Sequence, residues 1–194
     1  LNSEGSKVIL SAKGNYVFDS DNNKILDMMA GLWCVNIGYG RKELAEIAYN
    51  QMNLLPYYNS FFKTATTPSI ELSKILSEIT PTGIDKFFYG SSGSESNDTL
   101  VRLVRRYWDI LGKNNKKTFI SRTYAYHGST MASASLGGMQ AMHDQGDLPL
   151  PGFIHAMPPY KYKFGPQMDE NEFCNFAVKE VENLIIKIGP ENIA

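Results

Sequence analysis

The sequence contains only two cysteines, Cys34 and Cys174, which lie far apart and outside any C-x-x-C or Cys/His ligand spacing. Such a pair argues against a disulfide scaffold and against a structural zinc site. We therefore expect no metal in this protein, and a reduced, cytoplasmic setting fits the cysteine usage best.

Long apolar runs and an excess of charge are also missing. The longest unbroken apolar stretch, Met28 to Val35, is far below the roughly 20 residues of a membrane helix, and no basic-then-apolar leader opens the chain. The formal net charge of -1, from 19 Lys and Arg against 20 Asp and Glu, gives no electrostatic reason to bind nucleic acid or an anionic membrane. With 43% hydrophobic residues, the chain is expected to be a soluble globular protein.

The two ends of the sequence suggest a piece of something longer. The chain begins at Leu1 without a start methionine, and it closes on Gly189 to Ala194, where a helix has stopped and a new apolar element is starting. We expect further protein sequence to exist beyond these 194 residues.

Short apolar runs alternate with amphipathic segments along the chain. The pattern predicts a hairpin of 16–19 with 24–27, strands at 85–89, 118–121 and 153–157, and helices at 41–55, 67–79, 94–111 and 169–188. Helix 67–79 is expected to begin with Thr67 as its cap and Pro68 in its first turn. From residue 85 onward, strand and helix alternate, which predicts an α/β fold with a mostly parallel sheet.

The first segment that could carry chemistry is the turn Ser92-Gly93-Ser94, between a predicted strand and a long predicted helix. Free N–H groups and the dipole at a helix N-terminus attract anions, and glycine allows close approach of the backbone, so a phosphate is the natural guest. The alternative is that Ser92 or Ser94 only caps the helix, with Glu95 and Asp98 complementing its dipole. The pattern alone leaves the two about equally weighted.

A second segment follows the next predicted strand and ends at the same carboxyl edge of the sheet, where α/β folds bind ligands. Within it, Tyr126 could stack on a flat ring and His127 could donate a hydrogen bond or relay a proton. The alternative is an ordinary packed, hydrogen-bonded pair. His143 and His155 have no partners at ligand spacing and are assigned no role.

Aromatic side chains mark two further segments. Trp33 lies in a glycine-punctuated stretch between the hairpin and the first helix, and it could wall a pocket or simply pack in the core. The segment Tyr57 to Phe62 carries more rings than a solvated loop would. These rings either belong to a core, or line an apolar pocket or a subunit contact.

Taken together, these segments resemble class III aminotransferases, which are pyridoxal-phosphate enzymes of fold type I. The resemblance covers nearly the whole chain in order, and the branch that transfers amino groups from omega-amino acids or amines to pyruvate fits best. It is carried by Gly31-Leu32-Trp33, Tyr57 to Lys63, Ser92 to Glu95 with Asn97-Asp98, Tyr126 to Thr130, and Gly137 to Pro149.

The resemblance implies roles for individual residues. Ser92, Gly93 and Ser94 would hold the cofactor phosphate, Tyr126 would stack on the pyridine ring with His127 beside it, and Trp33 and Phe61 would shape the amine or keto-acid pocket. The family's active site lies at a homodimer interface, so a twofold dimer is implied. Residues 1–56 would be an N-terminal arm and small-domain segment, and 57–194 the first half of the large, cofactor-binding domain.

The catalytic groups of the family have no counterpart in this sequence. A transaminase needs a lysine that forms a Schiff base with the cofactor and a carboxylate on the pyridine nitrogen, and none of the 14 lysines lies in a matching context. We therefore expect the chain alone to be catalytically incompetent. The alternatives are a class III enzyme of another reaction type, an aminomutase or decarboxylating enzyme, and a non-enzymatic module that binds cofactor or dimerises.

Overall fold

The computed structural model describes residues 5–194, and its contacts divide the chain into two units. The first unit runs up to Lys86 and the second from Phe87 to Ala194. The domain boundary inferred from the family resemblance, between residues 56 and 57, stays a prediction about the complete enzyme.

The first unit opens with an antiparallel sheet of three strands, β1 (Ile9–Lys13), β2 (Tyr16–Asp19) and β3 (Lys24–Leu26), in that order. The predicted hairpin of β2 and β3 is confirmed, with Tyr16 opposite Leu26. Asp19 holds the turn between them, because its carboxylate accepts hydrogen bonds from the main-chain N–H of Asp21 and from the N–H and amide group of Asn23. Strand β1 was not predicted.

Three helical segments complete the first unit, and two of them are full helices. They are α1 (Ala30–Trp33), a single turn, α2 (Lys42–Leu54) and α3 (Thr67–Ile79). Helices α2 and α3 confirm the predicted periodicity. The cap of α3 is Thr66, so the predicted cap at Thr67 is wrong by one residue; Thr67 is already inside the first turn, with Pro68 at the expected early position.

The second unit is built on two parallel strands, β4 (Phe119–Arg122) and β5 (Phe153–Ala156). Its helices are α4 (Gly93–Ile110), α5 (Met131–Leu136), α6 (Gln140–His143), α7 (Lys161–Phe164) and α8 (Glu170–Ile188), followed by a 3-10 turn at Pro190–Asn192. Phe119 faces Phe153 in the register, and their rings stack with centroids 5.6 Å apart. The Arg105 guanidinium from α4 lies over both rings and joins the helix to the sheet.

The apolar face of α4 does not pack within the second unit. Val101 is the helix's buried residue, at 5% exposure, whereas Leu103, Tyr107 and Ile110 are each more than half exposed. The sequence period therefore predicted the helix correctly, but it could not tell which side of the helix meets the sheet. A large apolar surface on α4 is left uncovered in this chain.

The predicted strand at 85–89 is wrong. A strand needs a neighbour to pair its main-chain groups, and in the part of the chain that the structure describes this segment joins neither sheet. Phe88 remains 65% exposed, so the run of apolar residues that suggested a buried strand finds no cover here.

The fold class is α/β, as predicted, with β4 and β5 forming a parallel pair. At the end of the chain, Ile193 forms a parallel bridge with Thr118, the residue that precedes β4. No helix within residues 5–194 is both long enough and apolar enough to cross a membrane.

Candidate active site

The N-terminus of α4 is capped by Ser92, whose hydroxyl oxygen accepts a hydrogen bond of 3.1 Å from the N–H of Glu95. The Glu95 carboxylate in turn accepts a 2.6 Å bond from the N–H of Ser91. The capping role weighed for Ser92 is therefore confirmed. A capping oxygen still leaves the hydroxyl hydrogen free to be donated, so capping does not exclude a ligand.

The first main-chain groups of α4 fit a phosphate. The N–H groups of Glu95 and Ser96 are bonded to Ser92, whereas those of Gly93 and Ser94 precede any intrahelical acceptor. A side-chain carbon at Gly93 would meet no atom within 4 Å, so the approach to these donors is open. Free N–H donors, hydroxyls and the helix dipole form a donor set of the kind that binds a phosphate group.

The loop containing Tyr126 and His127 is bonded to this same end of α4. The side-chain amide of Asn97 donates a 2.6 Å hydrogen bond to the carbonyl of His127, and the N–H of Ser129 donates a 3.0 Å bond to the hydroxyl oxygen of Ser94. The two segments singled out separately in the sequence therefore lie against each other.

Gly128 makes this contact close. Its φ is +132°, and a Cβ there would lie 2.5 Å from the Ser94 hydroxyl oxygen and 2.7 Å from Cβ of Ser133. Only a residue without a side chain fits both the space and the backbone angle.

Polar side chains also join α4 to the residues that follow the loop, Thr130 and Ser133. Asp98 accepts hydrogen bonds from the hydroxyls of Thr130, at 2.8 Å, and Ser133, at 3.2 Å. Ser133 is fully buried and also bonds the carbonyl of Ser94 at 2.9 Å. Ser133 was not predicted as a site residue, although the run of small residues from Ala132 to Ser135 is a signal of close packing.

The side chains of Tyr126 and His127 take no part in the described hydrogen bonds between the loop and α4. Tyr126 is 64% exposed in this chain, and His127 is half-buried. The described contacts of this loop are made by main-chain groups of His127 and Ser129. A ring role for Tyr126 and a donor role for His127 stay predictions.

Trp33 lies in the first unit, at the end of an unusual turn. Ala30, Gly31, Leu32 and Trp33 all have positive φ, between 49° and 68°, so α1 is a turn of left-handed helix. For residues with side chains this conformation costs about 1–2 kcal/mol each. The Trp33 side chain is 80% exposed in this chain, and its role as a pocket wall or as a core residue of the complete protein stays a prediction.

The carboxylate of Asp27 holds this turn. It accepts hydrogen bonds from the N–H groups of Met29, at 3.0 Å, and Gly31, at 2.7 Å, and from the Tyr39 hydroxyl, also at 2.7 Å. Tyr39 itself is fixed by main-chain bonds to Gly14 in both directions.

These bonds shift two pKa values in opposite directions. The Tyr39 hydroxyl, then the N–H groups of Gly31 and Met29, lower the pKa of Asp27 below its ordinary 3.8. The hydrogen bond to Asp27 raises the pKa of Tyr39 above its ordinary 10.0. Asp27 therefore stabilises the fold above pH 3.8 and loses this contribution as pH falls through its lowered pKa, whereas the Tyr39 contribution is complete below pH 10.0 and is lost as pH rises through its raised pKa.

Phe61 also lies in the first unit, in the ring-rich segment that the sequence singled out. It is 67% exposed, and its one described ring contact is with Phe62, at 6.5 Å between centroids. These rings are thus exposed in this chain, and the core, pocket and subunit-contact alternatives all stay open for the complete protein.

The two histidines that received no role have a structural one. Nε2 of His143 lies 2.7 Å from the carbonyl oxygen of Gly137, and Nε2 of His155 lies 3.0 Å from that of Ser135. Because the partners are carbonyl oxygens, each Nε2 must carry a hydrogen. The rings are 5.0 Å apart and together satisfy the C-terminal carbonyls of α5, which have no partner inside the helix.

An Aminotransferase class-III family model matches residues 2–194, which is nearly the whole chain. The chain belongs to this family. Class III aminotransferases are pyridoxal-phosphate enzymes, in agreement with the donor set at α4. In the part of the chain that the structure describes, no group of His, Cys, Asp and Glu side chains could hold a metal ion.

Similar proteins with a stated activity are transaminases. The putrescine–pyruvate aminotransferase of Pseudomonas aeruginosa is 50% identical over all 194 residues, which are 42% of that protein. A gamma-aminobutyrate transaminase of Solanum lycopersicum is 45% identical over 96% of this chain and 36% of its own. The solved omega transaminase of Pseudomonas jessenii in complex with PMP matches at a TM-score of 0.95 and 41% identity, over 99% of this chain and 43% of that one.

This class III chain thus spans less than half the length of the relatives it matches.

Proposed function

We propose that this class III chain belongs to an aminotransferase that moves an amino group from an omega-amino acid or amine to pyruvate by means of pyridoxal phosphate. The observation that carries the proposal is the contact of the Tyr126–Ser129 loop with the donor end of α4, through Ser94 and Gly128. The putrescine–pyruvate and omega transaminase relatives support the choice of amine donor, and the first of them supports pyruvate as acceptor.

In this proposal the chain binds and orients the cofactor. The N–H groups of Gly93 and Ser94 and the hydroxyls of Ser92 and Ser94 hold the phosphate, Tyr126 stacks on the ring, and His127 lies beside it. When bound, pyridoxal phosphate supplies the electron sink that lets an amino group leave a carbon atom. Trp33 and Phe61 contribute to the amine or keto-acid pocket of the assembled enzyme.

We further propose that the complete enzyme is a homodimer in the cytoplasm. The exposed apolar face of α4 and the exposed rings from Tyr57 to Phe62 supply apolar surface that a second subunit would cover. Cys34 and Cys174 are both free and exposed, as suits a reducing compartment.

The reaction is tested with the complete protein, including any residues that flank these 194. We expect incubation with pyruvate and putrescine, or another terminal amine, to yield alanine in amounts equal to the amine consumed. Release of carbon dioxide or isomerisation of the donor without an acceptor would replace transamination by the decarboxylating or aminomutase alternative. Cofactor binding with no turnover of any donor would favour the non-enzymatic module.

We also propose that the Schiff-base lysine is not among the 14 lysines of this sequence. Borohydride reduction of the complete protein loaded with pyridoxal phosphate, followed by peptide mapping, should place the covalent adduct outside residues 1–194. An adduct on any of these lysines in stoichiometric yield would overturn the proposed incompetence of the chain on its own.

A further inference from the structure

The segment from Asp27 to Tyr39 forms a closed loop with both ends attached to the same place. The N–H of Asp27 bonds the carbonyl of Asn15 at 2.9 Å, and Tyr39 exchanges main-chain bonds of 3.1 and 2.8 Å with Gly14. The turn between β1 and β2 is therefore hydrogen-bonded to both ends of the loop. Across the loop, the hydroxyl of Tyr39 and the carboxylate of Asp27 close the ring of contacts at 2.7 Å.

The left-handed turn at Ala30–Trp33 lies inside this loop. It is hydrogen-bonded to the closure, which is the contact of the Asp27 carboxylate with the Tyr39 hydroxyl. One oxygen of Asp27 receives both the Tyr39 hydroxyl and the N–H of Gly31, and the other receives the N–H of Met29. A Cβ at Gly31 would lie only 2.9 Å from the Tyr39 hydroxyl oxygen, so the tyrosine also packs against the turn. The turn continues through the N–H groups of Trp33, Cys34 and Val35, which bond the carbonyls of Met29 and Ala30.

A strained backbone persists only where its surroundings determine it, and strain of this kind is concentrated at functional sites. Within four positions the turn gives positive φ to Ala30, Leu32 and Trp33, all of which carry side chains, and it ends on an exposed tryptophan. The titratable groups that face the Asp27–Tyr39 contact are Asp27, Tyr39 and the Cys34 thiol.

We infer that Asp27 and Tyr39 are positioning residues that hold the left-handed turn and thereby fix Trp33 as a wall of the amine site. This inference rests on the proposed function for the role of Trp33, but the holding of the turn does not depend on it. Without the closure, the turn relaxes toward right-handed or extended angles and Trp33 loses its defined place.

The test uses Tyr39→Phe in the complete protein, with Tyr49→Phe as a matched control. Tyr49 lies on α2 of the same unit and is 69% exposed. The first measurement is hydrogen exchange by mass spectrometry of the peptide covering 29–35. We expect exchange at least tenfold faster in Tyr39→Phe, and unchanged in Tyr49→Phe.

The second measurement separates positioning from general stability. We expect Tyr39→Phe to raise KM for the amine at least fivefold, with kcat changed less than twofold, because the cofactor contacts of α4 are untouched. Asp27→Asn should have a larger effect on both measurements, since one amide oxygen cannot replace both carboxylate oxygens. Gly31→Ala, which leaves both holding residues in place but crowds the Tyr39 hydroxyl, should shift KM in the same direction.

Two results would overturn the inference. Unchanged exchange at 29–35 in Tyr39→Phe would show that the closure does not hold the turn, whatever the reaction is. Faster exchange with an unaltered KM would show that the turn does not serve the amine site. A wild-type protein that transaminates no amine would refute the proposed function, and the exchange measurement would still decide whether Asp27 and Tyr39 hold the turn.

Discussion

Gly128→Ala is expected to lower the free energy of unfolding by roughly 2–5 kcal/mol and to weaken binding of pyridoxal phosphate by about tenfold or more. The added methyl carbon would lie 2.5 Å from the Ser94 hydroxyl oxygen and 2.7 Å from Cβ of Ser133, and the φ of +132° disfavours any side chain. Relief requires the loop to move away from α4, which displaces Tyr126 from the phosphate donors. Urea unfolding and titration with the cofactor measure the two effects.

Two glycine replacements in the same unit serve as controls for Gly128→Ala. Gly112 follows the other end of α4, has φ +69°, and has open space around it, so Gly112→Ala should cost about 1–2 kcal/mol without changing cofactor affinity. Gly93 also has open space, and its φ is not positive, so Gly93→Ala should leave stability nearly unchanged while obstructing the phosphate. A Gly128→Ala protein as stable as Gly112→Ala would contradict the tight contact with α4.

Gly138→Ala is expected to destabilise the complete protein by about 3 kcal/mol or more, because its methyl group would strike main-chain atoms. The nearest are the carbonyl oxygen of Arg122 and the Cα of Thr123, at the end of β4, and neither can rotate away as a side chain could. Gly138 also accepts a 2.8 Å bond from the N–H of Tyr124 and donates a 2.9 Å bond to the carbonyl of Ala125. The damage should therefore reach the segment that carries Tyr126.

The yield of soluble protein and the urea midpoint test Gly138→Ala, with Gly146→Ala beside it. Gly146 has φ +69°, and a methyl carbon added there would meet no atom within 4 Å, so Gly146→Ala measures the cost of the backbone angle alone. Equal urea midpoints for the two variants would show that the main chain at the end of β4 moves aside for the added methyl group, and would contradict the expected loss of stability.

The sequence predicted the parts of the site that depend on local residue chemistry. Serines and a glycine at the start of a long amphipathic helix are enough to predict both a cap and an anion site, and Ser92 does cap α4. The strand placed before that turn was wrong, because strand formation depends on a partner that the sequence of the strand does not reveal.

Contacts between distant segments were the part that sequence patterns could not supply. In the sequence Gly128 is indistinguishable from an ordinary loop glycine. Its requirement for glycine comes from Ser94, which is 34 positions earlier in the chain and in contact with it in the fold. The turn at Ala30–Trp33 is harder still, since alanine, leucine and tryptophan all disfavour positive φ. Local preference is overridden there by Asp27 and Tyr39, which are 12 residues apart.

The loop and the helix contribute different kinds of group to their contact, and this asymmetry sets how freely each can change during evolution. Helix α4 contributes the side chains of Ser94 and Asn97, while the loop contributes main-chain groups. Every residue type can present the carbonyl at 127, and every type except proline can present the N–H at 129. Replacements at 127 and 129 can therefore accumulate without loosening the contact, whereas 94 and 97 are constrained. A saturation library restricted to positions 127 and 129, with Gly128 kept and proline left out at 129, would retain the anchorage while sampling new chemistry around the ring of Tyr126.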